Sequence, residues 1–386
     1  MKTPSTANQP PTTNHQPPTN QVHRIYNFSA GPAVMPLPVL EQAQRDLVAL
    51  PGVGMSVMEI SHRSKTFEDL LGRAIADIRE LAGVDDGYAV LLLQGGASLQ
   101  FSMVPMNLLG AGQTADYIDT GSWSDKAVKE AKRVGTVNVT GSTKSENYSR
   151  IPSASELKLT PGAAYVHITT NNTIEGTEWQ ELPDTAADRG GTVPLVADAS
   201  SNIFSRPMDF SRFGLVYAGA QKNLGPSGVT LVLMRRELLA RSPSTLPTML
   251  NYQVQAENNS LYNTPPTFGI YILGLTMQWL KSVGGLPGVA AINARKAGKL
   301  YAEIDRTGFY RGTARKESRS LMNVTFRLPT EELEKQFDKE ATANGLDGLK
   351  GHRSVGGMRA SIYNAFPEEG VDALVAFMRE FERTRG

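Results

Sequence analysis

The chain contains no cysteine in its 386 residues. Disulfides, thiolate metal sites, iron–sulfur clusters and cysteine nucleophiles are excluded together. Net charge is nearly absent as well: 39 Lys and Arg stand against 38 Asp and Glu, a formal charge of +1. No global field therefore draws the chain to nucleic acid or an anionic membrane, and any anion recognition has to be local. Nor does any apolar run approach the roughly 20 residues that span a bilayer. Residues 1–23 are rich in Pro, Thr, Asn and Gln, with no branched aliphatic side chain before Val22 and no arginine. That is the composition of a disordered tail rather than of a signal or transit peptide, and a cytoplasmic protein is expected by elimination.

What is present is a hydrophobic fraction of 40% in a chain longer than one typical domain. The pattern predicts an α/β protein: a large domain over 24–284 with a mixed, mostly parallel sheet, and a smaller α+β domain over 285–386, with 24–50 also packing on the latter. Leu37, Leu40, Ala43, Leu47 and Leu50 recur at helical spacing, as do Phe67, Leu70, Leu71, Ala74, Ile78 and Leu81 before Gly83. From Tyr88 strands and helices alternate. Ala89 to Leu93 is apolar throughout, as a parallel strand covered on both faces is. After Met234 the alternation stops, and a long helix beginning near Tyr271 is read as the bridge to the second domain.

Several strand ends carry chemistry. Gln94-Gly95-Gly96-Ala97-Ser98 turns a strand into a helix, where N–H groups and the helix dipole favour a phosphate; Gly-Gly also serves such turns for geometry alone. Trp123 follows the strand 115–120, in the crevice where α/β proteins bind ligands, or is an amphipathic residue at a domain edge. Asp198 ends the strand 194–198, and a lone carboxylate there needs a cation or donors. Lys222 stands with no other charged residue between Arg212 and Arg235; it either ends a strand and reaches water or works as an amine of lowered pKa. Together these describe a site for pyridoxal 5′-phosphate. Lys222 would take the aldehyde carbon and later move a proton, Asp198 would hold the ring nitrogen protonated, Trp123 would stack on the ring, Ala97 and Ser98 would bind the phosphate, and Thr173 or a neighbour would reach the ring hydroxyl.

From residue 24 to 386 the chain resembles the class V aminotransferase group of fold-type I pyridoxal-phosphate enzymes. The resemblance is carried by Asn27-Phe28-Ser29-Ala30-Gly31-Pro32-Ala33, Ser61-His62-Arg63-Ser64, the Gln94 turn, Asn171-Asn172-Thr173-Ile174-Glu175-Gly176, Ala197 to Ser201, Ala220-Gln221-Lys222-Asn223, Tyr262-Asn263-Thr264-Pro265-Pro266 and Gly351-His352-Arg353 to Arg359. It implies a homodimer with shared active sites, Asn263 and Thr264 reaching the neighbour's cofactor phosphate and Gln221 lying beside it. Arg359 would take the substrate α-carboxylate, and His62, Arg63, His352 and Arg353 the distal anion, the first two across the dimer. The implied reaction is amino exchange between O-phospho-L-serine with 2-oxoglutarate and 3-phosphooxypyruvate with L-glutamate. Arginine and histidine in two separate loops suit a pocket that takes either a phosphate or a γ-carboxylate. A related aminotransferase acting on alanine or serine and glyoxylate is the alternative, and a nucleotide-binding oxidoreductase or a catalytically idle cofactor-binding protein are the readings from other classes. A cysteine desulfurase is excluded for want of cysteine.

Overall fold

The computed structural model describes residues 24–185 and 193–386; the tail expected over 1–23 lies outside them. The chain opens with β1 (Tyr26–Asn27), α1 (Leu37–Asp46), α2 (Lys65–Ala82), β2 (Tyr88–Leu93), α3 (Gly96–Leu108), β3 (Thr114–Asp119), α4 (Ser122–Val134) and β4 (Thr136–Ser142). It continues through β5 (Val166–Thr169), the short β6 (Asn171–Asn172) and β7 (Thr177–Glu178), β8 (Leu195–Asp198), β9 (Phe213–Gly219), β10 (Thr230–Arg235), α5 (Arg236–Leu239), α6 (Tyr252–Glu257), α7 (Thr267–Ser282) and α8 (Gly285–Ile304). The last part holds β11 (Arg311–Gly312), β12 (Asn323–Arg327), α9 (Glu331–Ala343), β13 (Leu346–Asp347), β14 (Met358–Ser361) and α10 (Glu368–Arg385). Among the described residues no helix is long and apolar enough to cross a membrane.

Seven strands make the central sheet in the order β2-β10-β9-β8-β5-β3-β4. β9, β8, β5, β3 and β4 are parallel, and β10 alone runs against its neighbours. The carboxyl ends of β2, β3, β5, β8 and β9 therefore share one edge of the sheet. β2 departs from the expectation: it is an edge strand bonded only to antiparallel β10. Its unbroken apolar run reflects cover on both faces, since Val90 and Leu92 enter one core and Ala89, Leu91 and Leu93 the other. Its open side is partly closed by Ser260, whose hydroxyl accepts from Leu92 N at 3.0 Å.

α2 forms as its sequence requires. Ser64 caps it by accepting from Phe67 N at 3.3 Å, and Gly83 ends it in the left-handed conformation at φ 63°. Phe67, Leu71, Ala74 and Ile78 are buried, and each large side chain among them contributes about 1.5–3 kcal/mol. α1 differs from its expected stripe. It stops at Asp46, so Leu47 and Leu50 lie beyond it, Leu37 and Leu47 are exposed, and Val39, Ala43 and Asp46 face inward. The polar Asp46 is tolerated there because Tyr271 Oη and Gln42 Nε2 donate to it.

A third core gathers residues of α8, α9, α10, β12 and β14, and takes in Phe28 from the start of the chain. The helix passing between cores is α8, not α7: Leu286 and Val289 pack under the large sheet, Ala297, Leu300 and Ile304 in the third core. The segment after β1 stitches these parts together. Ser361 N donates to Phe28 O, Tyr363 Oη to Ala30 O at 2.7 Å, and Ala33 N to Gln221 O at 2.9 Å.

Candidate active site

β8 delivers Asp198 and β9, its parallel neighbour, delivers the turn of Lys222 to the same edge. Lys222 Nζ donates to Thr173 Oγ1 at 2.7 Å, across to the β6–β7 turn. Burial lowers the Lys222 ammonium to about 8; the Asp198 charge opposes that and the Arg359 charge adds to it. Asp198 is 5% exposed. Burial raises its carboxyl above the usual range, while Lys222 and the Ser200 donors pull it back. Ser200 N and Oγ donate to Asp198 Oδ1 at 2.9 and 2.6 Å, and Ser200 Oγ accepts from Gly219 N at 3.1 Å. The carboxylate is thus fixed through Oδ1, and among the described residues no donor engages Oδ2.

A second lysine is buried more completely. Lys296 on α8 is 0% exposed and is lowered to about 7, chiefly by burial. Its Nζ donates to the carbonyls of Ile362, Tyr363 and Phe366 at 3.0, 2.7 and 3.1 Å. All three of its donors are occupied, so it fastens the turn after β14 instead of serving as a free amine. A depressed pKa alone would select Lys296. Geometry selects Lys222, which makes one hydrogen bond and feels the field of a buried carboxylate.

At the start of α3, Gly95 and Gly96 adopt φ of 88° and 65°, and no side chain caps the turn. The first-turn N–H groups, with Ala97 and exposed Ser98, are left for an anion. Gln221, one residue before Lys222, has its side chain folded against Gly219. Trp123 occupies the first turn of α4, and Lys222 Nζ lies 5.9 Å from its indole centroid. Two buried acids hold this turn in place. Ser124 Oγ accepts from Thr120 N and Gly121 N, both at 2.8 Å, and donates to Asp119 Oδ1 at 2.9 Å. Glu175 Oε1 accepts from Ser122 N at 2.8 Å and Ser122 Oγ at 2.7 Å. Glu175 Oε2 has no partner, and burial raises the carboxyl above its usual range. In the sequence Glu175 stands out only as part of the Asn171-Asn172-Thr173-Ile174-Glu175-Gly176 motif. Its signal was a single acid in an otherwise uncharged, buried turn.

Arg359 projects from β14 and its Nη1 donates to Thr173 O at 3.4 Å. Its buried Nε has no partner, and among the described residues no carboxylate pairs with it. Burial lowers its guanidinium below the ordinary value. A cavity of about 640 Å³ opens beside Arg359 and Glu175, although neither Lys222 nor Asp198 is in its wall. His352 is half-buried, with Nδ1 2.7 Å from Ser354 Oγ, and is held below its ordinary pKa by burial and then by the charges of Arg359, Lys126 and Arg353. Arg353 itself is exposed. Other expected residues stand apart. His62 and Arg63 lie on the turn before α2, and no contact within the described chain joins them to Lys222. Asn263 and Thr264 lie beside the Gln94-Gly95 turn, Gln94 Nε2 being 3.5 Å from Thr264 O.

Lys222, Asp198 and Trp123 at one edge, with an uncapped helix N-terminus close by, fit pyridoxal 5′-phosphate. The unengaged Asp198 Oδ2 would hold the ring nitrogen, the indole would cover the ring, and the open first turn of α3 would take the phosphate. Comparison with known proteins agrees. The chain is 58% identical to phosphoserine aminotransferase of Herpetosiphon aurantiacus over 94% of its own length and 99% of that protein. It is 54% identical to the solved phosphoserine aminotransferase of Bacillus circulans subsp. alkalophilus, with a TM-score of 0.91 and coverage of 94% and 99%. Against PLP-bound phosphoserine aminotransferase of Trichomonas vaginalis the identity is 40%, the TM-score 0.87 and the coverage 92% and 100%. The family model for aminotransferase class-V matches residues 25–374, and the chain belongs to the class-V aminotransferase family.

Proposed function

We propose that the chain exchanges an amino group between O-phospho-L-serine with 2-oxoglutarate and 3-phosphooxypyruvate with L-glutamate, a step of serine biosynthesis, using pyridoxal 5′-phosphate. The observation that carries the substrate pair is identity of 54–58% across 94% of the chain to proteins named phosphoserine aminotransferase. When bound, the cofactor supplies an aldehyde carbon for the amino group and a ring that accepts the electron pair released at the substrate α-carbon. Lys222 would hold the cofactor covalently. Once the substrate amine has displaced it, Lys222 Nζ would take the α-proton, and a pKa of about 8 leaves a usable neutral fraction near neutral pH. Asp198, fixed by Ser200, would keep a proton on the ring nitrogen. Trp123 would orient the ring, and Ala97, Ser98 and Gln221 would bind the phosphate. Thr173, which holds Lys222 in this structure, would turn to the ring hydroxyl.

Arg359 would clamp the α-carboxylate, an assignment supported by its half-buried, unpaired guanidinium. His352 and Arg353 would face the distal anion with His62 and Arg63 of a second copy, and Asn263 and Thr264 would reach that copy's cofactor phosphate. A homodimer is supported by the exposed apolar side chains Leu37, Leu47, Val48, Met55 and Met58, spread over the 25 residues before His62; Val48 is 83% exposed and Met58 60%. A cytoplasmic location accords with this metabolic role. The test is a half-reaction. Phosphoserine should bleach the visible band of the cofactor-loaded protein and 2-oxoglutarate should restore it; a band bleached by alanine yet untouched by phosphoserine would sink the substrate assignment.

A further inference from the structure

α4 carries a cation that has no task in the proposed reaction. Lys126 follows Trp123 by three residues, is exposed, and places Nζ 4.0 Å from the indole centroid. Lys222 Nζ lies 5.9 Å from the same centroid, so two ammonium groups stand at one ring. On a helix the natural partner of Lys126 is Glu130, four residues on. Glu130 is engaged by Arg133 at 3.5 Å, and the adjacent Asp125 by Lys129 and Lys144 at 2.5 and 3.3 Å. Among the described residues no carboxylate pairs with Lys126, Arg353 or Arg359. Lys126 comes from the large sheet's α4, while the two arginines and His352 come from the segment leading into and through β14, and the charge of Lys126 is felt at His352. Glu175 beside Arg359 and Asp198 beside Lys222 offset part of this charge, but positive groups with no paired carboxylate still repel one another unless an anion joins them. The more charge that anion carries, the better it offsets the repulsion.

We propose that Lys126 is a specificity-determining residue whose ammonium completes the cation set for the substrate phosphate, and that it matters little for a γ-carboxylate. The inference rests on the reaction proposed above. A phosphate monoester carries −1.5 to −2 charges near pH 7 and has three acceptor oxygens, whereas a γ-carboxylate carries one charge and two oxygens. A lysine adds a mobile point charge to a site whose arginines already supply the planar forks.

The test compares cofactor-loaded wild type, Lys126→Gln and Lys126→Arg in half-reactions with O-phospho-L-serine, L-glutamate and L-alanine, followed at the visible cofactor band. Lys126→Gln should weaken the apparent affinity for phosphoserine by about tenfold or more and that for glutamate by less than about threefold, with limiting rates and alanine affinity little changed. Lys126→Arg should stay within about threefold of wild type for phosphoserine. Equal losses for all three donors, or undiminished affinity for phosphoserine, would overturn the role of Lys126. A wild-type protein that reacts with glutamate but not with phosphoserine would instead remove the proposed reaction, and the inference with it.

Discussion

Removing the Glu175 side chain should loosen the cofactor site through the turn that carries Trp123. In Glu175→Ala, Ser122 N and Oγ lose an acceptor they reach at 2.8 and 2.7 Å. Two hydrogen bonds to a charged group are worth about 1.5–3 kcal/mol each, and an acid at a helix N-terminus adds about 0.3–1 kcal/mol. Burial of a carboxylate whose Oε2 has no partner offsets part of this. The net cost is therefore about 2–4 kcal/mol. If it falls on the α4 start, pyridoxal 5′-phosphate binding weakens by roughly 30-fold at the lower end of that range. Glu175→Gln keeps an oxygen for Ser122 and should cost about 1 kcal/mol, near fivefold. Titration of cofactor into cofactor-free protein, read by tryptophan fluorescence, measures both, with circular dichroism as the folding control. Glu175→Ala binding within about twofold of wild type would refute the reasoning; equal losses in both variants would show that charge matters and the acceptor does not.

Three further outcomes follow from the geometry. His167 is buried and held neutral, its pKa lowered to about 3 by burial. The unfolded chain, at about 6.5, then binds more protons between those values, so stability drains away as pH falls from 6.5 toward 3, by up to about 4–5 kcal/mol. His167→Phe lacks this loss, so the urea-midpoint gap between it and wild type should narrow over that range; a gap independent of pH would contradict the assignment. In Gly121→Ala the new Cβ would sit 2.6 Å from Glu175 Oε2 and 2.8 Å from Asn172 Oδ1, an overpacking of about 1–3 kcal/mol. Its melting temperature should drop, whereas Gly298→Ala, in open space on α8, should hold or raise it; equal behaviour of the two would count against the packing argument. Arg353→Ala should weaken phosphoserine use far more than alanine use, and equal losses would show that Arg353 does not read the phosphate.

The chemistry-bearing strand ends were legible because their charges stand alone: Asp198 and Lys222 are isolated in apolar sequence, and the sheet sets them on neighbouring strands. The Gly95-Gly96 turn was legible for the same local reason, a glycine pair between an apolar strand and a helix. What local pattern could not reveal is satisfaction at long range. Glu175 meets Ser122 across 53 residues, and Lys296 looks like any helix lysine until its three carbonyls arrive from the turn after β14. α1 shows how one long-range bond reorders a face: the hydroxyl of Tyr271 makes Asp46 an inward residue and leaves Leu37 and Leu47 outside. β4 is an edge strand with mostly exposed residues, so no apolar run marks it. His62, Arg63, Asn263 and Thr264 are known only as motifs whose proposed partners lie on another chain.

Two lysines with depressed pKa make the central claim open to a direct measurement. Borohydride reduction of the cofactor-loaded protein, followed by proteolysis and peptide mass analysis, fixes the cofactor to the amine that holds it. The pyridoxyl label should fall on the peptide containing Lys222, with no label in Lys222→Ala. A label on Lys296 or on Lys126, or full labelling that survives Lys222→Ala, would contradict the claim.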